Sequence, residues 1–209
     1  MTRQGVLAMG KNPDHNCTIV FVFQGQIPQI NPFHLLKEGI ISKEQMESTK
    51  FNTMLGGIGY ENDDIAFVQN LNRLTINLKS LKFRTQQFLK QKILPLNNII
   101  EDLIAVGVNF SCQLPIAVSK QFFNKENSLY SAYCQESDFF GATIVSSKDG
   151  YDQNITCIPD KVQNVMNFSI NNHFTKPSDI GKFPAEIPLG RFSELESDFL
   201  KLRKKIVGK

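Results

Sequence analysis

Tryptophan is absent from this chain of 209 residues, and histidine and cysteine are scarce, with three and four copies. The cysteines, Cys17, Cys112, Cys134 and Cys157, stand far apart and form no CxxC pair. That spacing spells neither a zinc ribbon nor a dithiol redox motif. No apolar run approaches the roughly 20 residues that cross a bilayer as a helix, and the first ten residues lack a signal-peptide core. The expectation is a cytoplasmic chain with reduced thiols and no membrane association. Charge of one sign is lacking too: 23 Lys and Arg against 20 Asp and Glu leave +3. A phosphate backbone normally demands a clustered basic face, so nucleic acid is not an expected partner.

Catalytic signatures are missing as well. GxSxG, HExxH and DxD do not occur, and the carboxylates fall in loops and on helix faces. Gly56-Gly57-Ile58-Gly59 lacks the Lys-Ser/Thr of a phosphate loop, and Glu61, Asp63 and Asp64 after it would repel phosphate. The stretch from Phe51 to Asp64 therefore reads as a connecting loop. His15 and Cys17 could point one way from a strand, but no second ligand pair with zinc spacing accompanies them, so no metal and no cofactor are expected. His34 and Glu38 read as a solvated i, i+4 pair on a short helix.

What the chain has instead is phenylalanine, 17 copies within an apolar fraction of 41%, enough for a self-sufficient core. After an irregular arm at 1–14, Cys17 to Phe23 is apolar on both faces and predicts a central strand covered on both sides. Asn31-Pro32 and Ser42-Lys43-Glu44-Gln45 carry the start signals of two short helices. Ile65 to Gln69 and Arg73 to Lys79 predict strands around Asn70-Leu71-Asn72. From Leu81 to Ile104 the period becomes helical, with Leu96, Ile99, Ile100, Leu103 and Ile104 as its stripe and a break at Pro95. Val106, Val108, Phe110 and Cys112 alternate as a half-buried strand, and helical segments are predicted over Ser119 to Tyr133. Gly141 to Ser147, Asn154 to Ile158 and Val165 to Phe174 predict three more strands, with Asp149-Gly150 as a hairpin turn.

A Pro/Gly-rich linker at 176–190 leads to the clearest helix, 191–207. Ser193 and Glu196 form its expected capping box, and Phe192, Leu195, Phe199, Leu202 and Ile206 form an apolar stripe. That stripe, placed after a linker, predicts an interaction helix. Together the elements predict an α+β domain over 15–175, a mixed or antiparallel sheet with helices packed on one face.

Alternation puts Arg73, Asn77, Asn109, Ser111, Asn167, Ser169, Asn171 and His173 on the polar strand face. Arg73, Asn77, Asn109, Asn171 and His173 are the candidate binding residues there, as a ligand floor or a self-association face; an ordinary wet sheet face is the plain alternative. Four Asn-x-Ser/Thr sequons, at Asn16, Asn109, Asn154 and Asn167, read as chance in an asparagine-rich chain.

Leu103-Ile104-Ala105-Val106-Gly107-Val108-Asn109-Phe110, with the helix before it from Asn97, and the strand end Asn171-Asn172-His173-Phe174 resemble small uncharacterised bacterial α+β proteins. Some of those lie in prophage or antiviral defence neighbourhoods. The resemblance transfers no catalytic residue. The function expected is a non-catalytic protein-binding or assembly subunit, with a protein partner or a homo-oligomer. Two alternatives remain: a small enzyme using His173 and Arg73, and a nucleic-acid binder using the basic C-terminal helix.

Overall fold

The computed structural model describes residues 15–27, 30–47, 50–54, 57–96, 102–118, 141–176 and 183–207. The arm at 1–14, the helical segments expected over 119–133, and Cys134 lie outside them.

Among the described residues nine strands form one sheet: β1 (Asn16–Phe23), β2 (Lys50–Met54), β3 (Gly57–Glu61), β4 (Ile65–Asn70), β5 (Arg73–Leu78), β6 (Leu103–Pro115), β7 (Ala142–Lys148), β8 (Tyr151–Asp160) and β9 (Val165–Thr175). Their order is β2-β3-β4-β5-β1-β6-β9-β8-β7. Every pairing is antiparallel. The α-helices among the described residues are α1 (Pro32–Lys37), α2 (Lys43–Glu47), α3 (Gln86–Phe88), α4 (Glu186–Gly190) and α5 (Phe192–Val207). The fold class is α+β.

Local chemistry accounts for most element ends. The Asn31 side chain accepts from the His34 amide at 3.0 Å, and His34 Nδ1 lies 3.5 Å from the Asn31 amide, closing a capping box. His34 is thus a helix cap, which differs from the solvated pair with Glu38 that its spacing suggests. Ser42 and Gln45 reciprocate in the same way at α2. Asp149-Gly150 turns β7 into β8 with Gly150 at φ 82°, the left-handed conformation that glycine adopts without a steric penalty.

Two segments differ from expectation. The anticipated Gly-rich loop at 51–64 contains β2 and β3; glycine is poor in strand propensity, so Gly57 and Gly59 hide a hairpin that its partners impose. Where the helix expected over 81–104 is described, it is a 3-10 turn at Leu81–Phe83, then α3, then a π turn at Leu89–Ile93, while Ile99 and Ile100 of its stripe lie outside the described residues. Leu103 and Ile104 belong to β6. Their spacing suits a helix stripe, but the run that follows alternates, and sheet pairing decides.

One face of the sheet carries the core. Cys17, Ile19, Phe21 and Phe23 of β1, Leu74, Ile76 and Leu78 of β5, Phe110 of β6 and Phe168 of β9 are all buried. The other face of β1 is only half-buried at Thr18, Val20 and Val22, so this central strand is covered on one side, against the two-sided expectation. Phe199 of α5 stacks on Phe168 at 5.2 Å and tilts against Phe110 at 5.7 Å. Phe192 meets Phe110 at 5.5 Å.

The apolar stripe of α5 is therefore occupied by the chain's own core: Phe192, Leu195, Phe199 and Ile206 are buried and Leu202 packs beside them. This corrects the reading of that stripe as an interaction surface. Within the Pro/Gly-rich stretch before it, Phe183, Ala185, Pro188 and Leu189 are buried and α4 forms. Among the described residues no helix is long and apolar enough to cross a membrane.

Candidate functional site

The face opposite the core is built by registry. Along one line across the sheet, Asn77 of β5 opposes Thr18 of β1, which opposes Asn109 of β6. Asn109 opposes Asn171 of β9, and Asn171 opposes Asn154 of β8. Five successive strands thus contribute four asparagines and a threonine to one row, stepped by about 4.8 Å per strand. Side chains that alternate along each strand put these groups on one face, because opposed residues in an antiparallel pair point the same way. Asn77, Asn109 and Asn171, singled out by alternation alone, stand in that row. Thr18 and Asn154 complete it.

Two amide oxygens of the row, Asn109 Oδ1 and Asn154 Oδ1, are shielded from solvent and accept no hydrogen bond among the described residues. Gly107, in the next row, leaves a notch beside the first of them: a β-carbon there would lie 3.5 Å from Asn109 Oδ1 and 3.7 Å from Asn171 Oδ1. A neighbouring asparagine shows the contrast. Asn172 faces the core at 1% exposure; its amide donates to Val108 O at 3.0 Å, and its oxygen accepts from Gln153 Nε2 at 2.9 Å. A buried amide on the apolar side is satisfied, as burial demands, while two on the polar side are not.

The rows beyond Asn109 continue the pattern. Asn16, Ser111 and Ser169 oppose one another, and Gln113 opposes Asn167. These five residues and His15 line an open cavity of about 710 Å³ at the β1 end of the face. All four sequon asparagines lie on this face, since the i and i+2 positions of Asn-x-Ser/Thr share one side of a strand.

The other two candidates fall apart. His173 opposes Gly107 on one side and Asp152 on the other, whereas Arg73 opposes Val22. Three strand steps, about 14 Å, separate their strands, and the two stand in different rows. Ser147 Oγ donates to Asp152 at 2.8 Å, which lines up Ser147, Asp152 and His173 across three strands. The carboxylate sits in the middle of that line, where a nucleophile needs the base.

A second polar cluster, unseen in the sequence, lies at the edge of the core. Arg84 is buried, and its guanidinium donates to Leu78 O at 2.8 Å and to His15 O at 2.9 Å. His15 Nε2 stands 2.9 Å from both Arg84 Nη1 and Glu196 Oε1. Arginine only donates and a carboxylate only accepts, so Nε2 serves one of them at a time. Glu196 is thereby drawn away from the expected capping box with Ser193, which lies inside α5. The cluster binds α5 to the start of β1. His15 is committed to it, and among the described residues no group of three or more His, Cys, Asp or Glu could hold a metal.

The described cysteines, Cys17, Cys112 and Cys157, are buried. Burial pushes the Cys17 thiol far up, against the pull of nearby Arg84, and pushes Cys157 up to about 11. Both are protonated, poor nucleophiles at neutral pH.

Compared with known proteins, the chain matches no family model and no curated protein.

Proposed function

We propose that the chain is a non-catalytic binding protein that holds a protein partner on the amide face of its sheet. The observation that carries this reading is the in-register row Asn77-Thr18-Asn109-Asn171-Asn154, four amides and a hydroxyl on one face. Amide side chains both donate and accept, as peptide groups do, so the row suits a neutral, amide-bearing surface. The row itself holds no ionisable group, which sets it apart from a phosphate-binding face.

The enzyme reading is weaker because His173 and Arg73 stand three strands apart. The nucleic-acid reading is weaker because α5 turns its phenylalanines inward. On the resemblance to proteins of prophage and defence neighbourhoods, the partner would be encoded near this chain. Affinity capture from the native host tests the reading, comparing the wild-type chain with the triple variant N77A/N109A/N171A. A protein recovered with the wild type and lost from an equally folded variant supports it. Equal recovery overturns it.

A further inference from the structure

His15 Nε2 is the one atom of the core-edge cluster that can either donate or accept. Arg84 Nη1 stands 2.9 Å from it and Glu196 Oε1 stands 2.9 Å from it. The guanidinium only donates and the carboxylate only accepts. A bare Nε2 accepts from Arg84 and turns its lone pair on Glu196. A protonated Nε2 donates to Glu196 and sets its hydrogen against Arg84. The two neighbours are not equally free to respond. The Arg84 side chain is 2% exposed, and its other donors rest on Leu78 O at 2.8 Å and His15 O at 2.9 Å whichever form the ring takes. The Glu196 side chain is 19% exposed, with Arg84 Nη1 at 3.4 Å as its other partner. Glu196 is therefore the part that moves. Among the described residues the other groups around the ring are uncharged: Phe199 of α5 at 5.2 Å, Phe110 of β6 at 6.1 Å, and the protonated Cys17 thiol of β1. The ring also lines the open cavity at the β1 end of the polar face, which brings water to it.

We propose that His15 is a proton-operated latch between α5 and the start of β1. Without a proton on Nε2 the ring accepts from Arg84, and Glu196 swings off it toward solvent. With a proton taken up there from water, the ring donates to Glu196 and ties α5 directly to the residue before β1. Arg84 keeps both carbonyls in either state, so the fold persists and only the tie to α5 changes. Histidine is the side chain whose charge ordinarily changes between about pH 5 and 8, the range over which such a latch works. The latch stands whether or not the amide row binds a partner.

Nuclear magnetic resonance of the isotope-labelled full chain tests it, carried from about pH 8 to about pH 5 beside Glu196→Gln. The chain has three histidines, so the loss of signals in His34→Gln and in His173→Gln leaves those of His15 assigned. In the wild type, Nε2 of His15 should be bare at the alkaline end and protonated at the acid end. The Overhauser contact between the Glu196 side chain and the His15 ring should appear as that proton arrives. Glu196→Gln supplies both a donor and an acceptor, so in it the same contact should persist at both ends. Should that variant not fold, the wild-type titration decides alone. An Nε2 that keeps one protonation state throughout overturns the proposal. So does a wild-type contact that does not change with pH, or a Glu196→Gln contact that is lost at the alkaline end.

Discussion

Glu196 Oε1 lies 2.9 Å from His15 Nε2, tying the last helix of the chain to the residue that precedes its first strand. Arg84 stands behind both, with its guanidinium on the carbonyls of Leu78 and His15. Arg84→Ala would strip donors from buried carbonyls and leave the contacts of Glu196 incomplete. The expected loss is about 3–5 kcal/mol, as for removing one member of a buried ionic cluster. Glu196 is partly exposed, so Glu196→Ala should cost less, about 1–3 kcal/mol. Urea unfolding of both variants measures the order; a larger loss for Glu196→Ala would contradict it.

Removing residues 191–209 should unfold the domain. Phe192 and Phe199 are fully buried among Phe110 and Phe168, and the stripe they belong to closes the core. Single substitutions Phe110→Ala, Phe168→Ala or Phe199→Ala should each cost about 3–5 kcal/mol. A truncated chain that melts cooperatively near the wild-type temperature would show that the helix is dispensable to the core.

The alternating strands were legible from single residues. Leu74, Ile76 and Leu78, or Met166, Phe168 and Ile170, announce their buried face by period alone, and the observed burial follows it. Capping at Asn31 and Ser42 was legible for the same local reason. The row was not. Thr18 meets Asn109, and Asn77 meets Thr18, through pairings far apart in sequence that no local pattern encodes. Arg84 gave no signal either: a lone arginine after a broken helical pattern looks solvated until the fold buries it.

Alkali should destabilise the fold through its thiols. Cys157 holds its proton up to about 11 in the folded chain against an ordinary value of 9.0, because burial disfavours the thiolate. Its contribution is complete below the unfolded value and is lost as pH rises toward the folded one, so stability falls between about pH 9 and 11. Cys157→Ala should flatten that part of the profile of melting temperature against pH. An unchanged slope would assign the effect to other groups, Cys17 and Tyr151 among them, both also raised by burial.

Asn109→Leu separates stability from function. Its oxygen makes no hydrogen bond among the described residues, so an apolar side chain of similar size should leave stability within about 1 kcal/mol of wild type, or raise it. A loss of several kcal/mol would show that the amide is structural.

The most direct test of the amide face is photocrosslinking in the cells that make the protein. A benzophenone amino acid would replace Asn171, within the row, or Val162, at a turn away from it. The account predicts a discrete protein adduct from position 171, absent from position 162 and lost when Asn77 and Asn109 are changed to alanine. No adduct at 171, or the same adducts from both positions, would contradict it.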